Sequence, residues 1–351
     1  MKILEINTEK TWRGGERQTC YNIEGLLKQD IHVSLLCRKG FPLSKKAGAF
    51  KIHIHEVKGA FQSILYLIKR GKRYDVLHTQ TAKAQFYAVL TKPIHRRPVV
   101  YTRRVDFVPK GKLTWMKYRM TDKVVAISGA IKDILAAFNL KDIVIISDAI
   151  AAKTLHKKRV EQIIQNNQWQ GKKIIATTAA FVQHKDPLTM VRAIAELYKL
   201  RQDFVFLHFG TGPLAAQVIH EINVHNLSDY YKIMGFVEDI EDFFSVFDVF
   251  AMSSEEEGLG SSVLDAFIYK VPVATTDAGG LKEIVKQRGM LSQVKDAQQL
   301  AKHIDHLLNN ETLRKELVEK AYQYVIQEHS VEKIGVGYKN LFIDLLSLRR
   351  S

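Results

Sequence analysis

The chain has 351 residues, 46% of them hydrophobic and 25% charged, and a formal net charge of +15. This length and composition fit two ordinary hydrophobic cores and are not those of a disordered chain. No window approaches the roughly 18 apolar residues of a membrane-spanning helix, and the opening MKILEIN alternates like a strand and lacks the apolar core of a signal peptide. The two cysteines, Cys20 and Cys37, match no metal-binding spacing and fit a reducing compartment, so we expect a cytoplasmic protein.

The positive charge is concentrated in the first part of the chain. Residues 1–160 contain 32 Lys and Arg against 12 Asp and Glu, whereas the remainder contains 20 against 25. Within 91–120, nine basic side chains accompany the single acid Asp106, and aromatic residues are interleaved among them. Such a stretch attracts polyanions: nucleic acid, an anionic bilayer surface or a phosphorylated substrate. A solvated basic face is the alternative.

Short β-branched runs alternate with helix-length segments along the first 150 residues. The predicted strands are MKILEIN, HVSLLC, KIHIHEV, DVLHT, PVVYT, KVVAIS and DIVIIS, with helical segments at 15–29, 60–72, 81–91 and 128–139. This alternation predicts a parallel sheet with helices on both faces.

A polar segment near 151–171 interrupts the alternation, which then resumes. The later predicted strands are KKIIATT, FVFLHFG, YYKIMG, FDVFAM and VPVATT, and 296–347 is helical by its periodicity. Two sheets separated by a polar connector predict two α/β domains that face each other. Ligands of such sheets bind at the carboxyl ends of the strands, where helices begin, so the loops after strands should contain the site.

Three of these loops have suggestive but individually weak features. Gly14 and Gly15 open a helix after the first strand, where a phosphate or sugar could approach the backbone. Lys185 immediately precedes a predicted helix start at Asp186, where a phosphate would also meet the positive end of the helix dipole. GTGP, at 210–213, permits a tight strand-to-helix turn, which is more often a structural feature. The spacing matches neither a dinucleotide fingerprint nor a Walker A loop.

The loop SSEEEG and the helix SSVLDAFIYK that follows it hold the most specific pattern. Ser261 and Ser262 are predicted helix caps, and Asp265 is predicted in about the first turn. With Glu257 just before the helix, two carboxylates can face one crevice and accept hydrogen bonds from the hydroxyls of a ribose or hexose. An acidic helix start favoured by the macrodipole is the alternative.

The stretch MGFVEDIEDFFSVFDVFAMSSEEEGLGSSVLDAFIYKVPVATTDAGGLKEIV resembles the carboxy-terminal domain of family 4 retaining glycosyltransferases of the GT-B fold. That family shows Pro-Ser-x-x-Glu-Gly-Phe-Gly, a second Glu eight residues on, then Gly-x-Pro-Val-Val-Ala-Thr and Gly-Gly. The resemblance extends over most of the chain through the glycine pair after the first strand, TTAAFVQHKD and FGTGP. It implies an α/β fold of two Rossmann-like domains with parallel sheets facing across a cleft. We place the amino-terminal, acceptor-binding domain at 1–160, the donor-binding domain at 161–330, and at 331–351 a helix that returns to the first domain.

The resemblance also implies roles for individual residues. Glu257 would contact the transferred sugar, Asp265 the ribose, and Lys185 the diphosphate. Gly14 and Gly15 would let the amino-terminal domain close on that diphosphate. The other implied donor-binding residues are Gly212, Val237, Gly258, Leu259, Gly260, Ser261 and Ser262, and the region from Gly235 to Val237 would border the nucleobase.

Three departures from the family pattern affect the site. Asp265 replaces a Glu, and Ala180 stands roughly where many members have an Arg, a cation that Arg13, Arg103 or Arg104 could replace. Arg104, in PVVYTRRVDF, stands where many members have a histidine, and we count it with Lys185 and Glu257 as catalytic. On the acceptor side His78, Arg103 and Asp106 are further candidates, although a hydrogen-bonded core histidine is the favoured interpretation of His78.

The resemblance implies a metal-independent retaining glycosyltransferase with no cofactor, its substrate a nucleotide-diphosphate sugar and UDP-sugar the default. With the basic 91–120 region it suggests a glycan or glycolipid acceptor of the lipopolysaccharide-core or lipid-linked type, at the inner face of an anionic membrane. A nucleotide-sugar epimerase, a sugar phosphorylase, a catalytically silent binding protein and a nucleic-acid-binding protein using 91–120 are the alternatives, and the oligomeric state is open. We expect no nucleic-acid partner.

Overall fold

A computed structural model describes residues 1–348, which divide into two compact units. The first comprises Met1–Ile150 with the described residues from Gln327 onward, and the second comprises Ala151–Ile326. The boundary between the two units thus lies between Ile150 and Ala151, before the expected boundary at 160. The segment 151–160 lies with the second unit because Lys153 pairs with Glu241 and the backbone N–H of His156 donates to Asp242, at 2.8 Å.

The first unit is built on a parallel sheet. Its strands are β1 (Lys2–Asn7), β2 (His32–Arg38), β3 (His53–Val57), β4 (Val76–Thr79), β5 (Val99–Arg103), β6 (Lys123–Ala126) and β7 (Ile143–Ile145). They are ordered β3-β2-β1-β4-β5-β6-β7, and every pair is parallel. Apolar side chains such as Leu4, Leu36 and Leu77 are fully buried on one face of this sheet.

Helices cover both faces of that sheet. They are α1 (Gly14–Leu27), α2 (Pro42–Ala47), α3 (Ala60–Arg70), α4 (Ala82–His95), α5 (Lys112–Arg119) and α6 (Gly129–Ala137), with 3-10 turns at Gly48–Phe50 and Gly71–Arg73. The sequence ended α4 at 91, but the helix continues through Pro93 to His95. A proline in the last turn removes only one backbone donor there, so the helix tolerates it.

The second unit repeats the architecture with six strands. They are β8 (Lys173–Thr178), β9 (Phe204–Phe209), β10 (Tyr231–Gly235), β11 (Val249–Met252), β12 (Val273–Thr276) and β13 (Met290–Ser292), in the order β10-β9-β8-β11-β12-β13 and all parallel. The sequence missed β13, because three residues are too few to show a period. Phe204, Phe206 and Val249 are among its fully buried core residues.

Most of the remaining helices belong to the second unit, and the last one belongs to the first unit. They are α7 (Lys157–Asn166), α8 (Pro187–Leu200), α9 (Ala215–Val224), α10 (Ser261–Ile268), α11 (Gly280–Val285), α12 (Ala297–Asn309), α13 (Glu311–Glu328) and α14 (Val331–Ser347), with 3-10 helices at Gln183–Lys185 and Ile240–Ser245. Helix α14 returns to the first unit and packs on α1. Within the range 331–351 predicted for the final helix, α14 occupies Val331–Ser347, and 349–351 lie outside the described residues.

Two Rossmann-like α/β units with parallel sheets confirm the expected fold class. Strand order reverses between β1 and β4 in the first sheet and between β8 and β11 in the second. Ligands of doubly wound sheets bind beyond the carboxyl ends of the strands at such switch points. The loops after β1, β4, β8 and β11 are therefore where each unit offers a binding surface.

Candidate active site

Two switch-point loops of the second unit meet at Lys185 and Glu257. Lys185 ends the 3-10 helix after β8, and its ammonium group pairs with the Glu257 carboxylate in the loop after β11. The backbone N–H groups of Glu255 and Glu256 donate to the carbonyl of His184, at 2.9 and 3.2 Å. Backbone and side-chain bonds thus hold the two loops together, with one cation and one anion at their junction.

The start of α8 fixes Lys185 from the other side. Asp186 is the N-cap of α8, and its side chain accepts from the N–H of Thr189 at 3.2 Å. The hydroxyl of Ser253, directly after β11, donates to the carbonyl of Asp186 at 2.8 Å. Lys185 is therefore next to a well-anchored helix start, as the sequence predicted.

The prediction that Ser261 and Ser262 cap α10 is wrong. Gly260 occupies the N-cap position with a left-handed φ of 95°, and both serines lie inside the first turn. Ser262 instead donates its hydroxyl to the carbonyl of Thr178, at 3.3 Å. Because first-turn N–H groups have no acceptor within their own helix, the backbone around both serines can still donate to an anion.

Asp265 lies in the second turn of α10 and is 5% exposed. The sequence placed it in about the first turn. The neighbouring Gly258 and Leu259 are buried, and the carbonyl of Glu257 accepts from the N–H of Gly280 at 2.8 Å. A backbone hydrogen bond at Glu257 therefore anchors the loop that precedes α10.

The GTG turn after β9 has a packing role. A Cβ added at Gly212 would lie 2.5 Å from the carbonyl oxygen of Phe181, so only glycine lets the turn approach the loop that leads to Lys185. Val237, in the loop after β10, is half-buried beside the exposed Phe236. Gly235 connects these turns, because its carbonyl accepts from the N–H of Gly210 at 2.8 Å.

In the first unit, the loop after β1 leads into a capped helix start. Gly14 and Gly15 are the first residues of α1, and the Glu16 side chain accepts from the N–H of Arg13, at 2.9 Å. Burial raises the pKa of Glu16, against the opposing effect of this hydrogen bond. A Cβ at Gly15 would meet nothing within 4 Å, so packing among the described residues does not require glycine there. The open backbone leaves room for a ligand.

Arg104 is held by two partners that the sequence analysis did not identify. Its Nε donates to Asp148 at 2.8 Å, and its Nη1 donates to the side-chain oxygen of Gln80 at 2.6 Å. Burial alone would lower the pKa of Arg104, but the Asp148 carboxylate raises it overall, so the guanidinium stays charged. Gln80 follows β4 and Asp148 follows β7, so the rule used for the other loops could have found both.

A buried polar chain continues from Gln80 into the sheet. Gln80 and His78 both bond to the carboxylate of Glu5, at 2.6 and 2.7 Å, and the other ring nitrogen of His78 bonds to the hydroxyl of Thr102 at 2.8 Å. Thr102 in turn bonds to the hydroxyl of Tyr338 on α14, at 2.9 Å. His78 is fully buried, so its position is that of a hydrogen-bonded core histidine.

Arg103 and Asp106 occupy different environments from Arg104. Arg103 is 3% exposed, and its guanidinium donates to the hydroxyl of Tyr118 at 2.5 Å and to the carbonyl of Phe107. This arginine fixes the loop before α5. Asp106 is half-buried in that loop.

Among residues 1–348, the structure offers neither a cluster of metal ligands nor a membrane-spanning helix. No three His, Cys, Asp or Glu side chains in this part of the chain converge as they would around a metal ion. None of its helices combines the length and apolar character needed to cross a bilayer.

Two family models match the chain. The model of glycosyl transferases group 1 matches residues 159–324, and the model of glycosyltransferase family 4 matches residues 12–152. Together they cover every strand of the two sheets except β1. The chain belongs to glycosyltransferase family 4.

Curated relatives of this family 4 glycosyltransferase are distant. N-acetyl-alpha-D-glucosaminyl L-malate synthase of Bacillus anthracis is 24% identical over 59% of this chain and 55% of its own length. The lipopolysaccharide core biosynthesis glycosyltransferase LpsE of Rhizobium meliloti is 26% identical over 48% of this chain and 49% of its own length. The matched stretch thus spans about half the length of each.

Among solved structures, HepE of Anabaena in complex with UDP and glucose has a similar fold. The TM-score is 0.85 at 18% identity, over 98% of this chain and 100% of HepE. At that identity the similarity supports the GT-B fold alone.

Proposed function

We propose that this family 4 glycosyltransferase moves a sugar from a nucleotide-diphosphate sugar to a lipid-linked or lipopolysaccharide-core saccharide, with retention of anomeric configuration and without a metal ion. The observation that carries the proposal is the Lys185–Glu257 pair at the switch point of the second sheet, next to the first turn of α10. The similarity to LpsE supports the acceptor class, and the UDP bound to HepE supports UDP as the nucleotide.

The donor offers chemistry that complements both members of the pair. Its diphosphate attracts Lys185 and the first-turn N–H groups at Ser261 and Ser262. Its sugar hydroxyls can donate to Glu257, whose carboxylate then exchanges an ammonium partner for hydroxyl partners. We assign Asp265 to the ribose and Gly258 to Gly260 to the close backbone approach.

Lys185 and the first-turn N–H groups of α10 act chiefly on the leaving group, which is the nucleoside diphosphate. In the transfer, the bond between the anomeric carbon and the diphosphate oxygen breaks, and a bond to the acceptor oxygen forms on the same face. The acceptor proton goes to the departing diphosphate oxygen. Lys185 and the helix N–H groups stabilise the negative charge that develops on that diphosphate, which lowers the barrier electrostatically.

In the first unit, we assign to the proposed machinery the backbone at Gly14 and Gly15, where a Cβ on Gly15 would meet nothing within 4 Å, and the charged group of Arg104. Arg104 stays ionised and is oriented by Asp148 and Gln80, so it can present a fixed positive charge to a phosphate or an anionic acceptor. Asp148 and Gln80 act through Arg104 and are positioning residues.

The acceptor side also has a surface suited to an anionic membrane. Phe86, Leu90 and Ile94, spaced by four residues on α4, are 49%, 52% and 45% exposed, and Leu113 and Met116 on the neighbouring α5 are 79% and 50% exposed. The same two helices carry basic residues of the 91–120 region: Lys92, Lys112, Lys117 and Arg119. Helices that carry both exposed apolar side chains and Lys or Arg match a bilayer interface with anionic lipids.

Incubating the protein with UDP-sugars and a lipopolysaccharide-core or polyprenyl-diphosphate saccharide tests the transfer. We expect a new glycosidic bond of the donor's anomeric configuration by NMR, undiminished by EDTA. Hydrolysis or isomerisation of the nucleotide sugar without an acceptor, or inversion of configuration, would contradict the proposal.

Sedimentation with phosphatidylglycerol vesicles tests the membrane contact. We expect binding that weakens as salt rises, because screening reduces attraction between exposed charges, and that falls at least tenfold in L113E/M116E. The substitution I219E, at an exposed apolar residue of α9 in the second unit, is the control and should leave binding unchanged. Absent or salt-independent binding would refute this part of the proposal.

A further inference from the structure

A basic cavity lies at the amino edge of the first sheet. It has a volume of about 970 Å³, and Lys2, His32 and His53, the first residues of β1, β2 and β3, line it. The candidate active site is at the carboxyl ends of the strands. With about 3.3 Å per residue, the six residues of β1 separate the two edges by about 20 Å, so the cavity is a distinct site.

The cavity wall carries an excess of positive charge. Lys2, Lys51, Arg70 and Arg73 line it together with three histidines, and no Asp or Glu of the described chain does. Within residues 1–348, none of these four Lys and Arg side chains forms an ion pair with a carboxylate. Elsewhere in the same unit Lys28, Lys92 and Lys123 do.

An ordered aromatic wall adds hydrogen-bonding groups. The hydroxyls of Tyr66 and Tyr74 are 2.7 Å apart, and that of Tyr74 is 3.2 Å from Nε2 of His55. The rings of His55 and Tyr66 also contact each other, at 4.7 Å between centroids. When Tyr74 donates to Nε2, the proton of His55 is on Nδ1, which can donate to a ligand.

Burial and two cationic neighbours both act on His55. Burial lowers the pKa of His55, and the nearby His53 and Arg70 charges lower it further. A bound anion would offset both cationic neighbours.

We propose that this cavity is a second anion-binding site, which takes a phosphoryl group of at least two negative charges through Arg70, Arg73, Lys51 and Lys2. A planar guanidinium pair bonds phosphate oxygens in a bidentate manner, and the lysines contribute as point charges. The ligand is a soluble phosphate ester or diphosphate, or the head group of a phospholipid.

Calorimetric titration of the full chain tests this site. All variants carry Lys185→Ala, which weakens the candidate diphosphate site, so a failure of the proposed function does not affect the comparison. One variant adds R70A/R73A. Its matched control adds K69A/K72A, which removes two neighbouring charges from outside the cavity. Melting temperatures confirm that both fold.

Inorganic pyrophosphate and monomeric short-chain phosphatidylglycerol distinguish the two sources. We expect R70A/R73A to bind at least one of them at least tenfold more weakly than K69A/K72A does. Loss confined to pyrophosphate identifies a soluble ligand, and loss confined to the lipid identifies a head group. Equal affinities in the two variants for both probes, or no binding of either, would overturn the proposal.

Discussion

At the scale of single residues, each member of the Lys185–Glu257 ion pair depends on the other for charge compensation. Both side chains are largely shielded from water, with 21% and 13% of their surfaces exposed. Removing one member leaves the other charge poorly compensated in a partly buried position. Substitution at either position should therefore affect both the local structure and the proposed donor contacts.

We expect Lys185→Ala to lower kcat/KM for transfer by roughly 10²-fold, about 2.7 kcal/mol, because an oriented cation no longer stabilises the leaving diphosphate. Steady-state kinetics with a nucleotide sugar measure this. Lys295→Ala removes a cation that pairs with Glu255 in the same loop, at 3.3 Å, and is the control. Equal kinetics in Lys185→Ala and the wild type would remove Lys185 from the phosphate site.

Asp265 tests the proposed ribose contact. Because a Glu differs by one methylene and keeps the carboxylate, Asp265→Glu should retain or raise the affinity for UDP. Asp265→Ala should weaken it, since the ribose hydroxyls lose their acceptor. Calorimetric binding of UDP measures both, and melting temperatures check that this buried position tolerates the change. Unaltered affinity in Asp265→Ala would show that the ribose lies elsewhere.

At the scale of elements, the contact of α1 with α14 depends on two glycines. A Cβ at Gly335 would lie 2.3 Å from the carbonyl oxygen of Gly25 on α1, whereas a Cβ at Gly337 would meet only Ile146, at 3.6 Å. The two helices can approach this closely only where both lack side chains.

Gly335→Ala should lower the free energy of unfolding by about 1–3 kcal/mol, because overpacking forces the helices apart. Gly337→Ala, two residues along the same helix, should be neutral or stabilising by up to about 1 kcal/mol through helix propensity. Thermal unfolding of the two variants measures the contrast. If both lose the same stability, close packing is not the cause.

Most elements of this fold could be predicted from the sequence because their apolar runs are long. KKIIATT and FVFLHFG are nearly continuous apolar strands, as buried parallel strands should be. The three residues of β13 and the extension of α4 through Pro93 depend on their neighbours in the fold, which local patterns do not show.

The site was predictable only in part, for a similar reason. Lys185 and Glu257 follow strands, so topology brings them together. The N-cap at Gly260 depends on a left-handed backbone, and the capping serines expected there proved to be first-turn residues. The pairing of Arg104 with Asp148 joins residues 44 positions apart. Such long-range hydrogen bonds cannot be read from spacing in one sequence.

At the scale of the whole molecule, the burial of His208 makes the stability of the protein depend on pH. It is 1% exposed, its Nε2–H donates to the carbonyl of Ala179 at 3.0 Å, and its Nδ1 accepts from the hydroxyl of Tyr231 at 2.5 Å. Burial lowers its pKa from 6.5 to about 3. The unfolded chain therefore binds a proton below about pH 6.5 that the folded chain excludes, so stability is full above that pH and falls below it.

Between pH 7 and pH 5 this histidine should reduce the free energy of unfolding by about 2 kcal/mol. The variant His208→Gln should lose less stability than the wild type over that interval. Melting temperatures at both pH values measure the difference, with the exposed His220→Gln as control. If His208→Gln loses as much stability between pH 7 and pH 5 as the wild type does, the loss is caused by other titrating groups.

The return of α14 to the first unit affects the order in which the chain can fold during synthesis. Residues 1–150 leave the ribosome first, but their unit also needs α14. This helix packs on α1, and its Tyr338 bonds to Thr102. Neither contact can form until α14 has been synthesised. The second unit, continuous from 151 to 326, can finish before the first. The amino-terminal unit can therefore complete its packing only after the unit that follows it in the chain has been made.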